Sequence, residues 1–293
     1  MAHTVRVIVN GVELDPSPRL WQRNGRIYVP VRQIVQRLGA QVRLETAAAC
    51  AAFDPRSGRT AIIGGFRPAP DAPLIAPVER VAAAGGARFL WEPDLSTLII
   101  QRPEASLAGR RIALDPGHGG PDLGYARPDG PVEKDCNLAV ARWLHALLGL
   151  AGARPVLTRT HDRRRAPARV RRTGSGRRNG GPLAALVSIH HNSHWDAALS
   201  GCETYFYHSA AGQRLAHCLQ EEAAAELGVA DRGVREAAFD ELRHCAVPAA
   251  LCKLAFLSNP AEAAMAAAPG YGLRAALGLF RGLRRFFEQD LLG

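Results

Sequence analysis

Two histidines and one glutamate in the second half of the chain have the residue types of a catalytic metal site. His118 follows the apolar run 112–114 in a turn rich in proline and glycine, His190 closes the apolar run 184–189, and Glu133 precedes an amphipathic segment. A lone histidine is more often a structural side chain than a metal ligand. Two imidazoles and one carboxylate, however, form the open three-ligand set of a catalytic zinc, with a fourth position left for water. The residues therefore predict a zinc site, provided that the fold brings them together.

The predicted elements place these three side chains at one edge of a sheet. Short apolar runs indicate buried strands, and the Pro-Gly and Gly-Gly pairs after the first run indicate a loop. His118 and His190 are thus expected at the carboxyl ends of two strands, where open α/β sheets bind ligands. Glu133 stands just before a helix predicted to start at Asn137, so we expect it to reach the same edge from a loop.

The C-terminal part of the chain alternates strand-like and helix-like segments. This order predicts an α/β domain with a mainly parallel sheet flanked by helices. The candidate strands cover residues 112–115, 155–159, 185–190, 203–207 and 249–256, and the candidate helices cover 137–150, 211–227 and 271–289. The last helix has an apolar stripe that we expect to dock on the sheet, formed by Leu273, Leu277, Phe280, Leu283 and Phe287.

The N-terminal part contains two similar units. Segments 30–40 and 77–87 both begin with Pro-Val and end with Gly-Ala, and each is followed by an apolar triplet and a glutamate. Proline favours the first turn of a helix, and the Asn-Gly pairs at 10–11 and 24–25 are typical of hairpin turns. We therefore predict a small α+β domain over residues 1–103, a linker over 104–109 and the α/β domain over 110–293.

The composition is that of an ordinary globular protein large enough for two cores. The 293 residues are 47% hydrophobic and 22% charged, which fits that class. No apolar run approaches the length of a transmembrane helix, and the N-terminal residues do not read as a signal peptide. The six cysteines form no Cys-x-x-Cys pair, so neither a zinc knuckle nor a dense disulfide framework is predicted.

The chain carries an excess of positive charge. Its formal charge is +10, from 37 Lys+Arg against 27 Asp+Glu, and many arginines lie among glycines between Asp162 and Pro182. A basic surface suits anionic partners, although a solvated charged loop explains this segment equally well. Aromatic residues are not interleaved with the arginines, so no nucleic-acid partner is expected.

A series of short motifs runs in order from Arg110 to the C-terminus. They are Leu114-Asp115-Pro116-Gly117-His118-Gly119-Gly120, Glu133 with Asn137-Leu138, Leu157-Thr158-Arg159-Thr160 with Asp162, Ser188-Ile189-His190-His191-Asn192-Ser193, Gly201 with Glu203-Thr204-Tyr205, Arg232-Gly233-Val234-Arg235, and Phe256-Leu257-Ser258-Asn259. With these motifs the C-terminal domain resembles the zinc-dependent N-acetylmuramoyl-L-alanine amidases of bacterial cell walls, cell-wall amidase family 3.

The resemblance implies a reaction, a cofactor and a place of action. The reaction is hydrolysis of the amide between N-acetylmuramic acid and L-alanine in peptidoglycan, with Zn²⁺ held by His118, Glu133 and His190. The implied partner is peptidoglycan, with anionic wall polymers as a further candidate for the arginine-rich segment. The implied location of such an autolysin is the cell wall or the extracellular space, although no signal peptide is visible.

Three further residues are candidates for supporting roles, each with an alternative. Arg235 is a candidate to bind a stem-peptide carboxylate in bidentate fashion, or it is a surface charge. Asn192 is a candidate for substrate binding, or it shapes its loop. Asp115 is a candidate to hydrogen-bond a ligand imidazole, or it caps the turn.

One position departs from the family's pattern. The family's catalytic glutamate, which accepts the proton of water and passes it to the leaving nitrogen, comes shortly before Phe-Leu-Ser-Asn, and here that position holds Lys253. In a first interpretation a neutral Lys253 is the base. In a second, another group substitutes, and the candidates are Glu203, Glu236, Asp240, Glu241 and His244. In a third, the protein is a catalytically impaired amidase that binds zinc and cell wall in a regulatory role.

The N-terminal segment from about Val5 to Gln101 resembles the small α+β module named for the N-terminal domain of copper amine oxidases. That module is often joined to wall hydrolases, and this copy has no cluster of metal-ligand residue types. The resemblance implies a non-catalytic domain that binds wall polymer or positions the enzyme; a simple spacer is the alternative.

Overall fold

The computed structural model describes residues 5–46, 48–163, 182–243 and 245–292. The chain divides into two compact units, Met1–Pro103 and Glu104–Gly293. Most of the arginine-rich segment, residues 164–181, and His244 lie outside the described residues.

The N-terminal unit is rich in short strands, with two helices. Its elements are β1 (Arg6–Val9), β2 (Val12–Glu13), β3 (Trp21–Arg23), β4 (Arg26–Pro30), α1 (Val31–Arg37), β5 (Gln41–Glu45), β6 (Ala49–Asp54), β7 (Arg59–Gly64), β8 (Ile75–Pro77), α2 (Val78–Ala84), β9 (Arg88–Glu92) and β10 (Thr97–Gln101). They form three sheets with the orders β2-β1-β10-β9, β3-β4-β8 and β5-β6-β7.

Local sequence signals account for much of this unit. Both Asn-Gly pairs form hairpin turns with positive φ, at Asn10 and Gly11 and again at Asn24 and Gly25, as the two-residue hairpin requires. Each helix begins directly after a proline, Pro30 or Pro77. Both helices bury their apolar residues in one shared core.

The C-terminal unit is built around a six-stranded sheet. Its elements are β11 (Arg111–Pro116), α3 (Glu133–Leu150), β12 (Arg154–Leu157), β13 (Ala185–Asn192), β14 (Cys202–Phe206), α4 (Ala210–Leu227), β15 (Asp231–Glu236), α5 (Asp240–Arg243), β16 (Ala249–Phe256), α6 (Pro260–Ala267) and α7 (Tyr271–Leu292). The strand order is β12-β11-β13-β16-β14-β15, and every neighbouring pair is parallel except β14 with β16. The predicted α/β class with a mainly parallel sheet is confirmed.

Helix α7 buries the predicted apolar stripe, including Phe280 and Phe287. It approaches α4 closely because glycines face that helix: a Cβ on Gly278 would lie 2.9 Å from the Cα of Ala223, and one on Gly282 would lie 2.8 Å from the Cα of Leu219. The stripe and the glycines together fix α7 against the rest of the unit.

Several boundaries differ from the sequence prediction, and one difference concerns the site. Helix α3 begins at Glu133, not at Asn137, so Glu133 lies in its first turn and not in a loop. Within segment 104–109, Leu107 is buried and the Gly109 amide donates to the Gly152 carbonyl; the role of this segment as a linker stays a prediction. Among the described residues, no helix combines the length and hydropathy needed to span a membrane.

Candidate metal centre

His118 lies in the turn that follows β11. Its backbone is left-handed, with φ 61°, and this conformation turns the chain sharply just past the strand. The Nδ1 atom of the ring lies 2.9 Å from Asp122 Oδ1. This contact fixes the ring orientation and leaves Nε2 to face Glu133, at 3.2 Å from its Oε1.

Glu133 reaches the centre from the first turn of α3, with a buried side chain. Its Oε1 atom lies 3.1 Å from His190 Nδ1 and accepts the backbone N–H of His191 at 3.2 Å. Its Oε2 atom accepts the backbone N–H of Tyr125 at 2.9 Å. The glutamate is therefore held between the two histidines by backbone donors.

The structure brings His118, Glu133 and His190 together, with one potential ligand atom from each within 4.8 Å of the others. The two imidazole rings stand edge to face, with centroids 4.9 Å apart. Two nitrogens and one carboxylate oxygen are the donor set of an open zinc site.

Two observations at His190 also fit a metal. Its Nε2 atom is buried and has no hydrogen-bond partner in the described part of the chain, which is unusual for a buried polar atom. A Cβ on Gly117 would lie 2.1 Å from the His190 ring. The ring can therefore occupy its position only because residue 117 has no side chain.

The charge state of Glu133 also suits a cation. Burial alone would raise the pKa of this carboxyl group, but hydrogen bonds to His118 and His190, the charge of His190 and the Tyr125 amide hold the pKa well below its usual range. The group is therefore an anion, the form in which a carboxylate coordinates a metal.

Buried polar residues brace the sheet beneath the centre. Asp115 accepts hydrogen bonds from Thr158 Oγ1 at 2.6 Å and from Ser188 Oγ at 3.3 Å, which joins β11 to β13 and to the residue that follows β12. Arg159 donates to the carbonyls of Pro116 and Gly117 at 2.9 Å each. These hydrogen bonds of Arg159 fix the loop that carries His118.

Lys253 lies beside His190 in the sheet. In the register of β13 and β16 it pairs with His190, and across β14 it pairs with Glu203. Its Nζ atom lies 3.4 Å from Asn192 Oδ1 and 5.7 Å from the ring centroid of Phe239. Both contacts suit an ammonium group, because an amide oxygen accepts its protons and an aromatic face attracts its charge.

Glu203 is buried and engaged by four donors. It accepts hydrogen bonds from Asn192 Nδ2 at 3.2 Å, Arg232 Nε at 3.0 Å, Arg235 at 3.3 Å and the Tyr205 hydroxyl. Asn192 thus joins Lys253 to Glu203, while the half-exposed Arg235 extends from the same carboxylate. The predicted substrate-binding residues Asn192 and Arg235 therefore belong to one polar network with Lys253.

The other candidate acids occupy different positions. Glu241 Oε1 lies 3.9 Å from His190 Nε2, and its side chain is 11% exposed. Glu236 pairs with the exposed His208, at 2.8 Å, and Asp240 is exposed on α5. Of these three acids, Glu241 is the one that lies within ion-pair distance of a candidate metal ligand.

Comparison with known proteins identifies the family of this domain. A family model described as N-acetylmuramoyl-L-alanine amidase matches residues 112–285, which is more than half of the chain. The chain belongs to this amidase family.

Two curated relatives from Bacillus subtilis illustrate the match. The chain is 33% identical over 200 residues to the N-acetylmuramoyl-L-alanine amidase LytC, which covers 67% of this chain but 39% of LytC. It is 31% identical over 216 residues to the germination-specific N-acetylmuramoyl-L-alanine amidase, covering 69% of this chain and 90% of that protein. The chain thus corresponds to part of LytC and to nearly all of the second relative.

Solved structures of amidases share the fold. The catalytic domain of the amidase CwlV from Paenibacillus polymyxa has a TM-score of 0.56 at 29% identity, covering 61% of this chain and 98% of that domain. The amidase AmiC2 of Nostoc punctiforme has a TM-score of 0.56 at 28% identity, covering 63% of this chain and 99% of AmiC2.

The amidase fold also contains supporting residues whose roles the sequence analysis did not assign. Asp122 contacts His118, and Asn137 and Tyr271 contact His191. His118 and Asp122 are four residues apart in a glycine-rich turn, and this spacing could have predicted the contact between them. Tyr271 and His191 are 80 residues apart in the sequence, so no local sequence pattern predicts their contact.

Proposed function

We propose that this chain is a zinc-dependent N-acetylmuramoyl-L-alanine amidase that hydrolyses the amide between N-acetylmuramic acid and the L-alanine of the stem peptide in peptidoglycan. The observation that carries the proposal is the convergence of His118, Glu133 and His190 within a domain of this amidase family. Bound zinc would polarise the amide carbonyl and make a water molecule nucleophilic at neutral pH.

The chain's own residues prepare this centre. Glu133 is held as an anion between the two imidazoles, and Asp122 orients His118. The guanidinium of Arg235, half exposed beside Lys253 and Asn192 in the same network, is suited to bind a carboxylate of the stem peptide. The network thus offers positive charge to an acidic substrate at the edge of the centre.

The proposed function also implies a location, the cell wall, and roles for the N-terminal unit and the arginine-rich segment. Relatives named cell wall amidases from Staphylococcus support a role at the cell wall. A wall-binding or positioning role for the N-terminal unit, and contact of the arginine-rich segment with anionic wall polymers, stay predictions. The comparisons give no support to the impaired, regulatory alternative.

Product analysis tests the proposal directly. The full chain would be incubated with purified peptidoglycan, with and without added zinc, and the soluble products identified by mass spectrometry. We expect stem peptides that begin with a free L-alanine amine, released by the wild type and not by His118→Ala. Intact glycan-linked peptides after prolonged digestion with zinc-loaded protein would contradict the proposal.

A further inference from the structure

One tryptophan of the C-terminal unit is almost fully exposed. Trp195 is 90% exposed, the highest value among the large hydrophobic residues that the structure describes. The other three tryptophans of the chain are half-buried. A single exposed apolar residue is common on a protein surface, so exposure alone does not indicate a binding site. The position of Trp195 and the way in which its loop is held do indicate one.

Trp195 lies in the loop that follows β13, the strand that carries His190. This loop leaves the carboxyl end of the strand, which is the end at which His118, Glu133 and His190 meet. Trp195 is five residues beyond His190, so the Cα atoms of the two residues are at most about 19 Å apart. The indole is therefore close enough to the centre to contact a part of a long substrate that does not itself react.

Hydrogen bonds hold the loop on both sides of Trp195. On one side the His194 amide donates to the hydroxyl of the buried Ser258 at 2.9 Å, and on the other side Asn259 Nδ2 donates to the Ala197 carbonyl at 3.0 Å. The Oδ1 atom of Asn259 also accepts two backbone N–H groups at the start of α6. The loop thus presents the indole from a fixed backbone, which lowers the entropy cost of binding a ligand.

A polar ring lies next to the exposed indole. The Asp196 amide donates to Nδ1 of His194 at 3.0 Å, so a neutral His194 ring carries its proton on Nε2. The rings of His194 and Trp195 have centroids 5.0 Å apart, and both residues are exposed. Together they offer an apolar face and a hydrogen-bond donor. A sugar ring fits this pair, because a pyranose has a face of C–H groups and a rim of hydroxyl groups.

We propose that Trp195 and His194 form a subsite for the glycan strand of peptidoglycan. One face of a pyranose ring stacks on the indole, and His194 Nε2 donates to an oxygen of the sugar. This inference rests on the proposed amidase function, which brings a sugar to this place. N-acetylmuramic acid carries the scissile amide on its lactyl group, so binding of the amide at the centre also brings the sugar and its neighbours in the strand to the surrounding surface.

The surroundings of Trp195 favour a sugar over other occupants. Its neighbours in the loop, Ser193, His194 and Asp196, are polar. A lipid surface or an apolar protein partner would require a continuous apolar patch, whereas a sugar ring needs one aromatic face with polar groups around it.

Binding to glycan strands stripped of their stem peptides tests the inference without hydrolysis, because these strands contain no scissile amide. Isothermal titration calorimetry with the full chain gives Kd. We expect Trp195→Ala to raise Kd about five- to thirtyfold and to leave Tm unchanged, because the side chain is exposed. Trp195→Phe keeps an aromatic face and should bind within about threefold of wild type. The matched control is Ile62→Ala, which removes a 72% exposed apolar side chain on β7 and should bind as wild type does.

Quenching of tryptophan fluorescence shows directly whether a sugar covers the indole. Acrylamide should quench Trp195 in the free protein, and saturating amounts of stripped strands should protect it. This protection should be absent in Trp195→Phe, although the variant still binds the strands. Binding by wild type without protection of Trp195 would place the sugar elsewhere and overturn the inference.

Kinetics on strands that keep their stem peptides measure the contribution to the reaction. Trp195→Ala should raise KM by the same factor as Kd and leave kcat within about twofold of wild type. The inference is overturned if Trp195→Ala binds stripped strands as wild type does, if the Phe variant binds no better than the Ala variant, or if wild type does not bind them. It is also overturned if Trp195→Ala keeps glycan binding but loses self-association or binding to phospholipid vesicles.

Two outcomes separate this inference from the proposed function. An active amidase whose glycan binding does not depend on Trp195 refutes the subsite and leaves the amidase function intact. A zinc-loaded protein that binds stripped strands through Trp195 but releases no stem peptide supports the subsite and refutes the amidase function.

Discussion

Asn137 Oδ1 lies 2.7 Å from His191 Nδ1, and this contact joins α3 to the end of β13 that carries the candidate ligand His190. Asn137 also donates through Nδ2 to the carbonyl of Gly117, at 3.2 Å, one residue before His118. His191, one residue after His190, lies with its Nε2 2.7 Å from the Tyr271 hydroxyl. Burial lowers the pKa of His191 to about 4, so a neutral ring donates to Asn137 and accepts from Tyr271.

The substitution Asn137→Ala should therefore weaken the metal centre without touching a ligand. It leaves Nδ1 of the buried His191 without its partner, at a cost of about 1–3 kcal/mol. It also removes one of two donors to the Gly117 carbonyl, which keeps its hydrogen bond from Arg159. We expect a lower free energy of unfolding and a weaker zinc affinity, measured by urea titration and by chelator competition.

A substitution on the exposed face of the same helix controls for effects on the helix itself. His145→Ala removes an exposed side chain of α3 and should change both values little. If Asn137→Ala bound zinc as tightly as wild type, the proposed link between the two ligand segments would be wrong.

The candidate site shows how far the sequence predicts function. Residue types, strand ends and motif order were enough to select His118, Glu133 and His190, which the structure brings together. The contact of Asp122 with His118 depends on the left-handed backbone at His118, which no propensity specifies. The approach of Glu241 to His190 depends on a four-residue helix, too short to give a periodic pattern.

In the fold, too, the sequence predicted the elements that depend on neighbouring residues and missed those that depend on contacts with distant parts of the chain. Apolar runs predicted β11, β13 and β16, and the Asn-Gly pairs predicted their hairpins, because these signals act within a few residues. Strand β15, with only partly buried or exposed residues, has no apolar run and was not predicted. The start of α3 was placed four residues late because its first turn is polar and is fixed by contacts of Glu133 and Lys134 with the preceding loop.

Removal of zinc should destabilise the C-terminal unit. A ligand that binds only the folded state adds about 4 kcal/mol of stability at a thousandfold excess over its Kd. At about 2–4 °C per kcal/mol for a unit of this size, this raises Tm by about 8–16 °C. We expect a chelator to lower the Tm of the zinc-loaded wild type in a calorimetric scan. His118→Ala should show a lower Tm at the outset and little further change with chelator; an equal chelator effect on both proteins would exclude His118 as a ligand.

Gly117 should tolerate no side chain. A Cβ at this position would lie 2.1 Å from Cε1 and 2.2 Å from Nε2 of His190, so Gly117→Ala must displace either the ring or the loop. Overpacking of this kind typically costs about 1–3 kcal/mol, and here it also moves a candidate ligand. We expect weaker zinc affinity and at least a tenfold loss of activity, a change of about 1.4 kcal/mol in barrier.

Gly149 supplies the matched control for this substitution. A Cβ at Gly149 meets no atom within 4 Å, and the residue lies in the last turn of α3. Gly149→Ala should stabilise the helix slightly, by up to about 1 kcal/mol, and keep full activity. Wild-type zinc affinity in Gly117→Ala would show that the ring position is not critical.

Glu203 should make the stability of the C-terminal unit depend on pH in the acidic range. Burial alone would raise the pKa of this carboxyl group, but hydrogen bonds from Tyr205 and Arg232 and the charge of Arg235 hold the pKa below its ordinary value of 4.5. Because the folded pKa is the lower one, the stabilisation is fully present above the unfolded pKa and is lost as pH falls through the folded pKa.

The comparison of wild type with Glu203→Gln measures this contribution. At pH 7 the variant leaves Arg232 and Arg235 without their anionic partner, and we expect a loss of about 1–3 kcal/mol in the free energy of unfolding. Below about pH 4.5 the difference should shrink, because the wild-type carboxylate becomes protonated while the amide does not titrate. Urea unfolding of both proteins between about pH 7 and pH 3 gives the two curves; a difference that stays constant over this range would show that the charge of Glu203 does not stabilise the fold.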